Sequence, residues 1–533
     1  MKKQAKILVH PSFKIGEISP RLYGAFLEPI GTMVNGSMYN PKHPTAEKHG
    51  FRQDFIDALK ETGLPTVRLP GGNFVSGWDW KDSIGPKENR KTHLDLAWFQ
   101  YIPNDVGHDE YLQWAELVGF EPMYTINLGT GDIKDAIGIV DYTNHKGGTY
   151  WSDLRRKYGH ESPYGVKTWY LGNEMDGPWQ IASWEKDPRG YGVRANEVSK
   201  AMKWVDPTIE TVACVSSSPF LAHYPQWDLE ALQECYESVD YVSLHHYHSA
   251  PEGDYAALLG GSVFFEDYIN TEIALCDFVQ TKLRSPRKMM LSFDEYGTSV
   301  RPCAELHPGF GPHNLYAAYY NFDPSREYIL HDPDNMGESR HPRGGDMVNA
   351  LTSASTLLAF LRHADRVKIG CMTSGLGTLA ATDREHVWKT AAYYPFSQLM
   401  RYGRGESMQT AVECDCFDIP GYAIDDNSQY YTHTGVKFID AATAYDEENG
   451  ELNIFVINRD WENDCSLELD ISGFKDFSFV EHSQLYTEDM QFHSTFETAG
   501  TVKPTVNDSA SFAEGKLSAE VKKLSWNVFR FKK

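Results

Sequence analysis

The sequence lacks the marks of several common protein classes. Its 533 residues hold eight cysteines, Cys214, Cys235, Cys276, Cys303, Cys371, Cys414, Cys416 and Cys465, with no CxxC pair among them. Thiols scattered this thinly read as reduced residues of a cytoplasmic protein, not as a disulfide framework. No stretch approaches the ~20 apolar residues of a membrane span. The start, Met1-Lys2-Lys3-Gln4-Ala5-Lys6-Ile7-Leu8-Val9-His10, has only the short apolar run Ile7-Leu8-Val9, where a secretory signal needs about seven. The expectation is a soluble, cytoplasmic chain. Positive charge is scarce: 50 Lys and Arg against 74 Asp and Glu give a net charge of −24. Such a surface repels phosphate backbones and anionic bilayers, which excludes nucleic-acid and membrane-surface roles. Gly 43 and Pro 27 are near ordinary usage, so collagen-like and disordered chains are excluded. No internal repeat and no low-complexity linker is visible. Aromatic residues, by contrast, are plentiful at 13%, with 13 Trp and 30 Tyr. Most of them serve packing, but flat rings with polar tips also suit the faces of sugars.

From about residue 20 to 390, short apolar runs alternate with amphipathic segments. The runs are Leu22–Leu27, Pro65–Leu69, Pro122–Leu128, Val166–Leu171, Thr208–Val215, Val239–Leu244, Met289–Phe293 and Arg366–Ile369. Between them, Phe51–Thr62 places Phe51, Phe55, Ile56 and Leu59 on one helical face, and Asp346–His363 repeats apolar residues at three-to-four spacing. Eight strands alternating with helices predict an α/β fold, a (β/α)8 TIM barrel. The competitor, a doubly wound sheet, is disfavoured because no glycine-rich phosphate fingerprint follows the first strand. After about 395 the helical period stops. Glu451–Asn458, Ser466–Ile471, Phe477–Val480 and Trp526–Phe531 read as strands of an all-β sandwich. Ala5–Val9 and Phe13–Ile18 are strand-like and could pair with it. The expected division is a catalytic barrel over 20–394 and a β-sandwich built from 1–19 plus 395–533.

Residues just past the C-terminal ends of barrel strands face the active site. Here those positions carry Glu28, then Gly71-Gly72-Asn73 after Arg68, Asn127 with Gly129 and Thr130, Gly172-Asn173-Glu174, His245 with Tyr247, and Asp294-Glu295. Two glutamates at the ends of different strands suit glycoside hydrolysis, one protonating the leaving oxygen and the other attacking the anomeric carbon. A single strand-end glutamate is as often half of a structural ion pair.

Longer segments carry a resemblance. They are Arg21-Leu22-Tyr23-Gly24-Ala25-Phe26-Leu27-Glu28, Val67-Arg68-Leu69-Pro70-Gly71-Gly72-Asn73-Phe74, Leu94-Asp95-Leu96-Ala97-Trp98 and Asn127-Leu128-Gly129-Thr130-Gly131. The most specific is Trp169-Tyr170-Leu171-Gly172-Asn173-Glu174-Met175-Asp176-Gly177-Pro178-Trp179-Gln180, and Val242–His245, Leu361–Asp365, Ile457–Asp460 and Leu524–Val528 also fit. Together they resemble the α-L-arabinofuranosidases of glycoside hydrolase family 51, retaining barrel glycosidases, over nearly the whole chain. The resemblance implies Glu174 as acid/base and Glu295 as nucleophile. It implies substrate contacts from Glu28, Asn73, Asn173, His245, Tyr247, Trp98 and Trp179. Arg68 would orient Glu295 and lower its pKa. It further implies double displacement without cofactor or metal, an arabinose-containing oligosaccharide as substrate, and a homo-oligomer.

Two stretches depart from the family pattern. Tyr296-Gly297-Thr298 stands where Trp-Asn is usual, and Ser374 stands where a longer Gln reaches the sugar. Both are expected to border the sugar and to leave space beside it. The long, Pro- and Gly-rich stretch Arg301–Arg343, with Phe310, Tyr316, Tyr319, Tyr320 and Phe322, is expected to wall the site. The expected activity is exo-hydrolysis of terminal α-L-arabinofuranosyl residues from arabinoxylan or arabinan oligosaccharides. The alternatives are the same chemistry on a β-D-galactofuranoside, a β-xyloside or an endo-glucan, or a non-catalytic carbohydrate-binding barrel. A metal hydrolase built on His245-His246-Tyr247-His248 is disfavoured, because alternate strand residues face opposite sides and only His246 and His248 share one.

Overall fold

The computed structural model describes residues 3–301, 327–330, 346–424 and 428–533. Eight parallel strands close a barrel: Gly24–Phe26, Thr66–Leu69, Glu121–Ile126, Thr168–Leu171, Glu210–Cys214, Tyr241–Pro251, Met290–Arg301 and Val367–Met372. Each falls on one of the apolar runs. Their flanks are covered by helices, so the strands are buried on both faces. Helix Gln53–Thr62 lays Phe55, Ile56 and Leu59 on the barrel and stops at Gly63, whose φ of 70° is the left-handed C-cap conformation. Phe51 is not in that helix. It lies in an extended bridge with Tyr39, and the helix starts only after Arg52, which is tied to Asp54. Helix Met347–Arg362 starts where Asp346 accepts a hydrogen bond from the Asn349 amide, and it is buried on nearly every side.

The sixth and seventh strands run well past the apolar runs that announce them. They stay paired to Pro251 and Arg301, beyond the polar stretch from His245 onward. Between Ser292 and Glu295 the register slips: Ser292 opposes Ser243 while Glu295 opposes His245. This bulge inserts one extra residue, so the consecutive Asp294 and Glu295 can both turn into the barrel mouth.

The C-terminal region is a continuous ten-stranded sheet. Strand Lys3–Glu17 lies inside it, antiparallel to Glu406–Cys414 and parallel to Cys465–Asp470. The sheet folds over its own core, since Phe512 and Phe531, on strands far apart in the hydrogen-bonded order, bring their rings to 5.4 Å. The two layers of the sandwich are therefore halves of one sheet. The aromatic-rich wall expected within Arg301–Arg343 lies outside the described residues, apart from 327–330 and the backbone of Arg301. Among the described residues no helix is long and apolar enough to cross a membrane.

Candidate active site

At the C-terminal mouth of the barrel, Arg68 sits fully buried between the rings of Phe26 and Tyr170. Its guanidinium donates to Glu295 Oε1 at 2.8 Å and to Asn173 Oδ1 at 2.6 Å, and its Nε lies 3.1 Å from Asp294 Oδ2. A planar fork holds two acceptors at fixed angles while its charge faces the Asp294 carboxylate, a geometry that a lysine's compact point charge does not fix. Burial opposes its charge, but Asp294 and Glu295 hold its pKa above the ordinary arginine value. Asp294 is likewise penalised by burial, and Arg68 and His245 keep it below the usual carboxylate range.

His245 bridges the acids. Its Nδ1 lies 2.9 Å from Glu174 Oε1 and 3.8 Å from Glu295 Oε2, and its Nε2 lies 3.2 Å from Asp294. Burial disfavours the imidazolium, but Glu295 and Asp294 push its pKa up to about 10. The ring is therefore charged at neutral pH. Ligand atoms of Glu174, His245 and Glu295 lie within 4.8 Å of one another. That grouping could also hold a metal ion. The oxygens of Glu174 and Glu295 share that limit. A retaining pair stands about 5–5.5 Å apart, and an inverting pair at roughly 6.5–9.5 Å to admit a water.

Glu174 is aimed by backbone rather than by a regular strand end. Gly172 has φ of 90° and Glu174 itself φ of 45°, a conformation that costs a non-glycine residue energy and recurs at functional sites. Its second oxygen accepts from the Trp179 indole. Burial pushes its pKa up, against the hydrogen bond and charge of His245. Tyr247 donates to Glu295 Oε2 at 2.6 Å and is 41% exposed, so its ring edge is open to a ligand.

Glu28 accepts from the amides of Gly72 and Phe74 at 3.1 and 2.9 Å. Burial and the nearby Glu295 push its pKa up to about 7. The glycines let the chain pass this close. A Cβ at Gly72 would stand 2.7 Å from Glu295 Oε1, and one at Gly71 2.9 Å from Glu28 Cγ. Asn173 donates to Asn73 Oδ1 at 2.9 Å, which also accepts from Gln180. Trp98, half-buried, tips the hairpin His93–Asp95/Gln100–Ile102, where Asp95 accepts from the amides of Ala97 and Trp98 and from Gln100. Gln100 also reaches the Pro29 carbonyl, which moors the hairpin beside Glu28.

Of the residues singled out in the sequence, Arg68, Asn73, Asn173, Glu174, Trp179, His245, Tyr247 and Glu295 form one bonded cluster through Asp294, with Glu28 joined to the amides on either side of Asn73 and Trp98 on the hairpin moored beside it. Ser374 is not bonded into it. It is half-buried, opens a short helix and lies 3.5 Å from Thr378. Its neighbour Thr373 instead meets the Tyr247 hydroxyl at 2.8 Å. Tyr296 does not border the site. Its ring packs between Phe265 and Phe360 of the helix layer, because the strand turns that side chain outward. Gly297 does face Tyr247, but with room, since a Cβ there would lie 3.5 Å from the ring. Sequence reasoning gave no role to Asp294, Gln180 or Thr373. Asp294 adjoins Glu295, and a bulge is needed before both can be seen to face inward. His246 and His248 point into the helix layer against Phe265 and Phe264, with burial lowering them to about 3 and about 4.

Two sequence-family models match, the α-L-arabinofuranosidase 1 domain over residues 58–260 and the α-L-arabinofuranosidase C-terminal domain over 316–525. The chain is 38% identical to an intracellular exo-α-(1→5)-L-arabinofuranosidase of Bacillus subtilis, covering 100% of this chain and 99% of the relative. It is 36% identical to an enzyme of the same description from Acetivibrio thermocellus, over 100% of both. A Bifidobacterium longum relative, 30% identical over 99% of this chain and 98% of its own, is an exo-α-(1→6)-L-arabinofuranosidase. Among solved structures, a family 51 α-L-arabinofuranosidase from Bifidobacterium longum superposes with a TM-score of 0.85 at 29% identity, covering 100% of each chain. The arabinose complex of the Thermotoga maritima enzyme gives 0.84 at 27%, covering 99% and 100%.

Proposed function

Since the chain belongs to the α-L-arabinofuranosidases of glycoside hydrolase family 51, we propose the following division of labour for its site. It is a glycoside hydrolase that removes α-L-arabinofuranosyl residues from non-reducing ends with retention of configuration. Glu295 attacks the anomeric carbon and Glu174 protonates the departing oxygen. In the second step Glu174 takes a proton from water, and that water releases the sugar from Glu295. The observation that carries this reading is the pair of opposed carboxylates within 4.8 Å, treated differently by their surroundings. Glu295 accepts hydrogen bonds from Arg68 and Tyr247, which hold its oxygens in place for attack. Glu174 is raised by burial, which favours the protonated form an acid needs. His245 holds Glu174 toward the sugar. Glu28, Asn73 and Asn173 bind the furanose hydroxyls, and Trp98 and Trp179 wall the ring. No metal or cofactor enters these steps.

The finer assignment is preference for (1→5)-linked arabino-oligosaccharides, supported by the descriptions of the relatives at 38% and 36% identity. Those relatives are described as intracellular, which supports a cytoplasmic site of action on short imported chains. Assembly into a homo-oligomer is proposed on the exposed face of helix Pro188–Val205, where Val193 is 50% and Trp204 81% exposed. Light scattering showing a monomer at micromolar concentration would dismiss that assembly.

The activity is tested with nitrophenyl α-L-arabinofuranoside, β-D-galactofuranoside and β-D-xylopyranoside, alongside linear (1→5)-arabinotriose. Arabinofuranoside should be cleaved at least ten times faster than the other aryl glycosides, about the discrimination of one well-placed contact. Arabinotriose should lose arabinose from its non-reducing end. Dialysis against a chelator should leave these rates unchanged. Preference for either rival glycoside, or a chelator loss reversed by one metal, would overturn the reading.

A further inference from the structure

Strand Tyr241–Pro251 carries His245 and Tyr247 and then leaves the barrel mouth. Just past its end, Glu252, Gly253, Asp254, Tyr255 and Ala256 meet Trp461 of the β-domain around a surface cavity of about 450 Å³. The Trp461 and Tyr255 rings lie nearly parallel, 18° between planes, with centroids 6.5 Å apart. Trp461 is braced from behind by Phe417 at 5.5 Å and Phe438 at 5.7 Å, so the platform is fixed. Among the described residues the Trp461 indole N–H, the Tyr255 hydroxyl and the Glu252 carboxylate make no hydrogen bond. Asp254 spends one carboxylate oxygen on the Ala257 amide.

Broad aromatic surface beside unused donors and acceptors matches a ligand with apolar C–H faces edged by hydroxyls. The two carboxylates, on a chain of net charge −24, repel anions. A cation would be best held by rings enclosing it from several sides, and these two rings present the same orientation. Tyr247 and Pro251 are four residues apart on the strand, about 13 Å at ~3.3 Å per residue, and Glu252 follows at the turn. The cavity is therefore within reach of a chain whose terminal unit sits beside Glu295.

We propose that this junction cavity is a second sugar-binding site, which holds a distal unit of a neutral oligosaccharide whose end is being cleaved. The inference rests on the proposed activity for its substrate, but not for the cavity. It gives the β-domain a part in choosing chain length.

The test compares linear (1→5)-arabinohexaose with nitrophenyl α-L-arabinofuranoside as substrates of the full chain. Trp461→Ala and Tyr255→Ala should raise KM for the hexaose about three- to tenfold, the scale of one lost stacking contact. Both should leave kcat and KM for the nitrophenyl glycoside unchanged, and Trp461→Phe should retain most of the hexaose affinity. Trp461 also packs on the β-domain, so Glu252→Ala, which removes an exposed carboxylate, supplies a variant that disturbs no packing, with the same direction of change. Equal kinetics of all variants on both substrates would overturn the proposal. So would quenching of Trp461 fluorescence by tetramethylammonium but not by arabinohexaose. If wild type cleaves neither substrate, the activity reading fails, while fluorescence titration with arabinohexaose still decides whether the cavity binds sugar.

Discussion

At the residue scale, the site depends on what is missing as much as on what is charged. Gly72 has no side chain because a Glu295 oxygen stands where a Cβ would crowd it. Gly72→Ala should lower kcat/KM about 10²-fold, the cost of displacing a catalytic group by roughly an ångström, with little change in melting temperature. Activity within threefold of wild type would show that Glu295 has slack. Glu174→Ala should lose about 10²–10⁴-fold on arabino-oligosaccharides and far less on a nitrophenyl glycoside, whose leaving group barely needs a proton. Azide should restore part of that turnover. Glu174 has its pKa raised by burial, so wild-type kcat/KM on oligosaccharides should fall as pH climbs through it. The alanine variant on the aryl substrate should lack that basic limb. Nearly all the residues that form the cluster were legible in the sequence because each follows an apolar strand in a specific motif. Tyr296 was misleading, because adjacency in sequence does not say which face of a strand a side chain takes.

At the scale of elements, the barrel was legible because buried parallel strands are continuous apolar runs. The extension of the sixth and seventh strands was not, since polar residues there face a site instead of a core. Nor does any residue type announce the bulge before Glu295. A second buried feature also escaped the sequence, in the seam between helices Gln226–Cys235 and Ser262–Leu283. Asp228 and Glu272 are both buried there, with Ser216 donating to Asp228 at 2.7 Å. Burial raises both carboxyls, Glu272 to about 7. A raised carboxyl holds its proton in the fold where the unfolded chain has lost it. Stability should therefore decline from about pH 4.5, its ordinary value, through about 7. Glu272→Gln keeps the shape without the charge. Its melting temperature should exceed that of wild type at pH 8 and match it near pH 4.5. The same difference at both pH values would remove the carboxyl as the cause.

At the scale of the molecule, the barrel and β-domain are joined by buried charge. Arg362, at the end of helix Met347–Arg362, binds Glu266 at 2.6 Å and Asp440 at 2.7 Å, and Arg459 lies 3.5 Å from Asp440. Removing one partner strands the others, so Asp440→Asn should cost about 3–5 kcal/mol. Calorimetry should show wild type melting in one transition and the variant splitting or melting earlier. An unchanged single transition would make the junction passive. The strand at the N-terminus inserts into the distant C-terminal sheet, a pairing its short apolar alternation hints at but cannot fix. All of this holds the mouth in which one carboxylate becomes bonded to the sugar. The most direct measurement is mass spectrometry of the enzyme after reaction with an activated 2-deoxy-2-fluoro-arabinofuranoside, which slows the second step. The account predicts one added sugar per chain on the peptide that contains Glu295. A label on Glu174 or Glu28, or inactivation without any adduct, would contradict it.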